Sequence, residues 1–338
     1  MKVKTARWVL LPAAAALVVI AAGCGSSSPT SSSSSGTSPA HHVLKVALIT
    51  PSATNDLAFS QAMYSAVESL KTKYNLQISV QDNMFVVSDA ANAIQQYAAE
   101  GYNLIIANGS QYGSTVQQLA PKYPKVSFAW GTAGSTYNLP NVYAYEAAAN
   151  EGGYVQGYMA GLLSKSKVIG VIGPIDVGDA QLYTTGFKAG VLAANKKATV
   201  HLSFTGSFSD VSLMASAAHS YISEGADVLT GSSQSVVGAI GVAKSSNVAW
   251  FGTQWDQSSL APSEVVSCQV YNWAPVLEQI FTGIKSGKLG GATYSITLGN
   301  GGEKIVFNPA YLLPGPVKTA GLSMLSKIES GAITPPSS

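Results

Sequence analysis

From Val43 onward, short apolar runs alternate with longer stretches whose apolar residues recur at helical spacing. The runs predict buried strands at 43–50, 78–81, 104–108 and 126–130. Between them, Met63, Ala66, Val67, Leu70 and Tyr74 share one helical face. Ala90, Ile94, Tyr97 and Ala98 share another, and a short helix is expected near 113–120. The pattern restarts after Tyr145. Tyr154, Val155, Tyr158, Met159 and Leu162 mark a helix, followed by strand 168–172, helix 180–194, strand 199–205, helix 211–223, strand 226–230, helix 235–244 and strand 248–252. Strand 264–270, helix 273–286 and a helix near 319–330 complete the chain. Continuous apolar strands alternating with helices predict parallel sheets covered on both faces. Two rounds of this unit predict an α/β fold of two doubly wound lobes. Lobe 1 is expected at 43–147 with about 256–285 crossing back, and lobe 2 at 148–255 with part of 286–338. Gly153, Gly157 and Gly161 recur every four residues on one helix, which predicts close packing of that helix against a sheet.

The first 42 residues have a different texture. Lys2, Lys4 and Arg7 precede an uncharged run, Trp8–Ala22, and then Ala21-Ala22-Gly23-Cys24. A basic start, an apolar core and small residues before a break are the parts of a secretion signal. The apolar run is shorter than the roughly 20 residues a spanning helix needs. A cysteine directly after the small residues resembles a bacterial lipoprotein signal, expected to cover 1–23 and to leave Cys24 acylated. Residues 25–42 are serine-rich and almost free of apolar side chains, so 24–42 is expected to be a flexible tether, reaching about 20–25 Å. The expected location is the outer face of the cytoplasmic membrane, through a lipid anchor.

The chain of 338 residues carries 19 basic and 17 acidic residues, and the leader holds three of the former and none of the latter. The remainder is nearly neutral and has no basic cluster, which argues against nucleic acid as a partner. Beyond Cys24 the one other cysteine is Cys268, in an apolar strand, so an internal disulfide is excluded and a quiet buried thiol is expected. The sequence has no HExxH, GxSxG, GxxxxGK[ST] or CxxC, and Gly170-Val171-Ile172-Gly173 lacks dinucleotide spacing. Neither an enzyme nor a cofactor or metal site is expected.

In open parallel sheets, ligands bind beyond the carboxyl ends of strands. That rule selects six loops. They contain Asp56, Phe59, Ser60 and Gln61; Ser110, Gln111 and Tyr112; Phe208 and Asp210; Ser232 and Gln234; Trp255 and Asp256; and Trp273. Asp56, Ser60 and Asp210 are equally suited to capping the helices they precede. Together the loops offer rings, amides, hydroxyls and acids, but no Lys or Arg. Such a set suits a neutral, flat or sugar-bearing small molecule rather than an anion.

These loops also carry a resemblance. Asp56-Leu57-Ala58-Phe59-Ser60-Gln61 is similar to the D-x-S-F-N-Q loop of the basic membrane protein family, the purine-nucleoside-receptor-like substrate-binding lipoproteins of ABC transporters. Tyr145-Glu146, Glu151–Gly161, Gly186–Gly190, Gly225-Ala226-Asp227-Val228 and Gly252-Thr253-Gln254-Trp255-Asp256-Gln257 resemble further family segments in the same order, the last being G-x-D-x-D-Q. The resemblance covers most of 44–334. It implies a type I periplasmic-binding fold, a ligand between the lobes, and a partner ABC permease served by its ATPase. It also implies that Asp56, Phe59, Phe208 and Asp256 are cleft residues. The two rings would then sandwich a base, and Asp256 would take ribose hydroxyls. Ser60 stands where the family often has Asn. Val270 lies near a lysine position of nucleoside binders, where Trp273 would substitute stacking. The competing expectation is a ligand-sensing surface lipoprotein that regulates a partner without transport.

Overall fold

The computed structural model describes residues 43–338; the expected signal segment, Cys24 and the tether lie outside the described residues. In chain order the first elements are β1 (Leu44–Ile49), α1 (Phe59–Tyr74), β2 (Leu76–Gln81), α2 (Val87–Ala99), β3 (Leu104–Ala107), α3 (Gly113–Leu119), β4 (Ser127–Gly131) and β5 (Val142–Ala147). Then follow α4 (Ala149–Leu163), β6 (Val168–Gly173), α5 (Gly178–Ala194), β7 (Thr199–Phe204), α6 (Val211–Ser223), β8 (Val228–Gly231), α7 (Val237–Ser245) and β9 (Ala249–Gln254). The last elements are β10 (Val265–Tyr271), α8 (Ala274–Lys285), β11 (Ala292–Ile296), β12 (Glu303–Phe307) and α9 (Gly315–Glu329).

The strands form two six-stranded sheets, ordered β11-β5-β4-β3-β1-β2 and β12-β10-β9-β8-β6-β7. All pairings are parallel except β12, which runs antiparallel on β10. The continuous apolar strands have the reason expected for them. In β1, Val46 and Leu48 enter one apolar cluster while Ala47 and Ile49 enter another, on the opposite face. Both faces are therefore covered, and a strand of period two must be apolar at nearly every position.

The segment returning to the first sheet differs from the expected 256–285. β10 stays beside β9 in the second sheet, with Cys268 opposite Gly252. The return runs instead through α8, which packs on α1, and β11, which pairs with β5. The chain then goes back to the second sheet as β12. The connection after β10 is stitched by rings. Trp273 is fully buried, with Tyr145 of β5 at 5.0 Å and Tyr271 of β10 at 5.8 Å.

The glycine repeat on α4 faces a helix rather than a sheet. A Cβ on Gly157 would come within 2.0 Å of the Phe187 carbonyl oxygen. Reciprocally, a Cβ on Gly186 or Gly190 of α5 would come within 2.2 Å of Asn150 O or Tyr154 O. Two glycine stripes thus let the α4 and α5 backbones touch. Cys268 is buried, and that burial pushes its thiol up to about 12, as an inert core residue requires.

Candidate functional site

The carboxyl ends of β1, β3, β4, β6, β7, β8 and β9 converge on one narrow cavity between the two sheets, with about 20 Å³ of free space inside it. The first sheet's loops supply Pro51, Phe59, Gly109, Ser110, Gln111 and Thr132. The second sheet's loops supply Val177–Ala180, Phe208, Ser232, Ser233, Gln234 and Gln254. Phe59 and Phe208, from opposite sheets, wall the same space.

The loop before α1 shows how Phe59 is aimed. Asp56 accepts hydrogen bonds from the backbone N–H groups of Ala58 (2.8 Å), Ser60 (3.1 Å) and Gln61 (3.0 Å), and from Ser52 Oγ. Its carboxylate thus satisfies the free donors of the first turn. Ser60 Oγ pairs with Ser52 Oγ at 2.6 Å. Gln61 Oε1 accepts from the N–H of Leu57, whose φ of +52° is left-handed. Gln257 Nε2 donates to the Leu57 carbonyl from the other half of the molecule. Each polar side chain of the D-x-x-F-S-Q stretch is therefore engaged in shaping the turn, and the ring of Phe59 is what reaches the cavity.

Other expected residues lie outside the cavity for equally local reasons. Tyr112 is buried, and its hydroxyl donates to the Met84 carbonyl at 2.8 Å. Asp256 is exposed and accepts from the Ser258 backbone and hydroxyl, closing a turn. Trp255 packs against the largest apolar cluster, and Trp273 is locked in the ring stack described above. Asp210 caps α6 through the N–H groups of Ser212 and Leu213. Its loop is tied to the neighbouring one by Ser233 Oγ, which donates to the Phe208 carbonyl.

The sequence reading omits the loops after β4 and β6, which bring Thr132 and residues 177–180 to the cavity, and it does not single out Gln254. Gln254 occupies the first acid position of the G-x-D-x-D-Q pattern, at a left-handed φ of +72° that turns it inward. Such a conformation costs a non-glycine residue energy and clusters at ligand sites. Asp179 lies in the first turn of α5, with the Tyr271 hydroxyl 3.3 Å from Oδ2. Burial pushes its carboxyl up to about 6, opposed by hydrogen bonds from Tyr271, from its own N–H, from Gln254 and from the Ala180 N–H. The carboxyl-end rule finds this residue when it is applied to β6 as well. Gly178, at φ +56°, lies beside Thr132 of the opposite half, where a Cβ would meet the Thr132 Cβ at 3.4 Å.

Two doubly wound sheets with a cavity at their carboxyl ends define the type I periplasmic-binding fold. The solute-binding protein of Conexibacter woesei superposes with a TM-score of 0.69 at 23% identity, over 87% of this chain and 99% of that one. Residues 43–314 match the family model described as ABC transporter substrate-binding protein PnrA-like, and the chain belongs to that family. It is 27% identical to a purine-binding protein of Brucella abortus, over 89% of this chain and 85% of that protein. It is 25% identical to the ABC transporter nucleoside-binding protein BmpA of Lactococcus lactis, over 87% and 89%.

Proposed function

We propose that the protein captures a small flat or sugar-bearing solute of the nucleoside class at the cell exterior and hands it to an ABC permease. The observation that carries this is the pair Phe59 and Phe208, one from each half, walling a single cavity. A planar base between two rings gains about 1–3 kcal/mol per ring. The purine- and nucleoside-binding names of its relatives support the same ligand class. The lining has no Lys or Arg, which disfavours an anion. A ligand touching both halves favours the closed state by its differential affinity, and closure is the signal a permease can recognise.

The anchor is part of the proposal: Cys24 carries acyl chains that hold the protein at the outer membrane face. Among the described residues no helix is long and apolar enough to cross a membrane. Titration calorimetry of the full chain in detergent, with adenosine, inosine and guanosine, tests the ligand class. Heat from at least one is expected, and none from all three overturns it. Cys24→Ser is expected to move the protein from the membrane to the soluble fraction of its host. Unchanged fractionation overturns the anchor.

A further inference from the structure

The unspent hydrogen-bonding capacity of the cavity is one-sided. Gln254, 4% exposed, directs its amide nitrogen to Asp179 and to Ser232 Oγ at 3.4 Å, and its Oε1 is buried without a partner. Turning the amide over would set Oε1 against the Asp179 carboxylate, so the carboxylate fixes the orientation. Gln234 Oε1, also in the lining, is likewise buried and unpartnered. Asp179 is 7% exposed and is the carboxylate of the lining, which contains no Lys, Arg or His. The titratable groups facing it are Tyr271 of β10 and Glu303 of β12, with Glu151 of α4 beyond Glu303. None of them is a cation, and burial pushes Tyr271 and Glu303 well up, toward their neutral forms. Asp179 thus has hydrogen-bond donors but no counter-charge among the groups around it.

A buried carboxylate is costly until an opposite charge joins it. A neutral polyol would satisfy the acceptor oxygens and leave the charge uncompensated. A protonated nitrogen satisfies both at once, and aromatic residues in the lining, Phe59 and Phe208, suit the same cation. We propose that the site selects ligands bearing a protonated nitrogen, received by the Asp179 carboxylate and the free Gln254 Oε1. This rests on the solute-binding reading above and revises its expectation of an uncharged ligand.

The test uses two matched pairs on the full chain at pH 7: adenosine with 5′-amino-5′-deoxyadenosine, and glucose with glucosamine. In at least one pair the amine is expected to bind about 30-fold more tightly than its neutral partner. Asp179→Asn, which keeps the shape and removes the charge, is expected to bring that ratio close to one. The wild-type ratio is also expected to fall toward pH 5, as Asp179 takes up a proton, while the variant's ratio stays flat. Adenosine bound with no gain for its amine, and no gain in the sugar pair, overturns the charge selection and leaves the nucleoside reading standing. Selection for glucosamine with neither nucleoside bound supports the charge selection and sinks the nucleoside reading. A preference that survives Asp179→Asn, or silence from all four compounds, overturns the proposal.

Discussion

Replacing Phe208 with alanine is expected to separate binding from folding in this protein. The ring walls the cavity, yet Phe208 is partly exposed and belongs to none of the three apolar clusters. Its loop is held by the backbone carbonyl, through Ser233 Oγ, and so survives loss of the ring. Removing one stacking partner costs about 1–3 kcal/mol of binding, which is about 5–150-fold in affinity. The fold should lose less than about 1 kcal/mol, the usual effect away from cores. Phe59 provides the contrast. It is 3% exposed and sits in the largest cluster, so Phe59→Ala loses the same stacking and also opens the core. That adds about 3–5 kcal/mol of destabilisation. At about 2–4 °C per kcal/mol for a domain of this size, its Tm should fall by roughly 6–20 °C. Adenosine titrations and scanning calorimetry on both variants make the comparison. Phe208→Ala binding adenosine within about twofold of wild type would refute the ring-wall argument. So would Phe59→Ala losing affinity with an unchanged Tm.

Three further outcomes follow from the same geometry. Gly157→Ala should lower the urea midpoint, because its Cβ meets the Phe187 carbonyl at 2.0 Å; the overpacking cost of about 1–3 kcal/mol exceeds the roughly 1 kcal/mol returned by helix propensity, and a raised midpoint would contradict backbone contact between α4 and α5. Asp56→Ala should cost about 1–2 kcal/mol of stability and also weaken adenosine binding, since it frees the turn that aims Phe59; unchanged affinity would show that the turn holds without it. Asp179 has a carboxyl raised from 3.8 to about 6, so the folded chain holds that proton more tightly than the unfolded one. Its stabilising contribution is complete below about pH 4 and is lost as pH rises through about 6, a change of the order of 2–3 kcal/mol. Asp179→Asn should therefore raise the urea midpoint at pH 7 and leave it nearly unchanged at pH 4, and equal gains at both would refute the desolvation argument.

Most strands and helices are readable because their periods are local. β5, β11 and β12 escape; the last two, ATYSI and EKIVF, are edge strands, half-exposed and interrupted by polar residues, with no continuous apolar run to mark them. The glycine repeat on α4 announces a close approach, but a sheet and a helix leave the same trace on one strip of sequence. Only the facing stripe of Gly186 and Gly190 decides between them. Within the site, the carboxyl-end rule locates the loops of Phe59, Ser110, Gln111, Phe208, Ser232 and Gln234, all of which line the cavity.

The chain's residues by themselves determined the α/β alternation, the doubling of the unit and most of the loops that line the cavity, because periodicity and strand polarity are properties of neighbours in sequence. The tertiary structure decided which side chain of each loop faces the cavity. Asp56 and Asp256 carry the same chemistry as Asp179, but the first two are engaged by donors a few residues away. Asp179, besides its own and the Ala180 N–H, meets Gln254 and Tyr271, the latter 92 residues along the chain and brought to it by the fold. A turn satisfies its own polar groups first, and what remains for a ligand depends on which distant elements close the space around it.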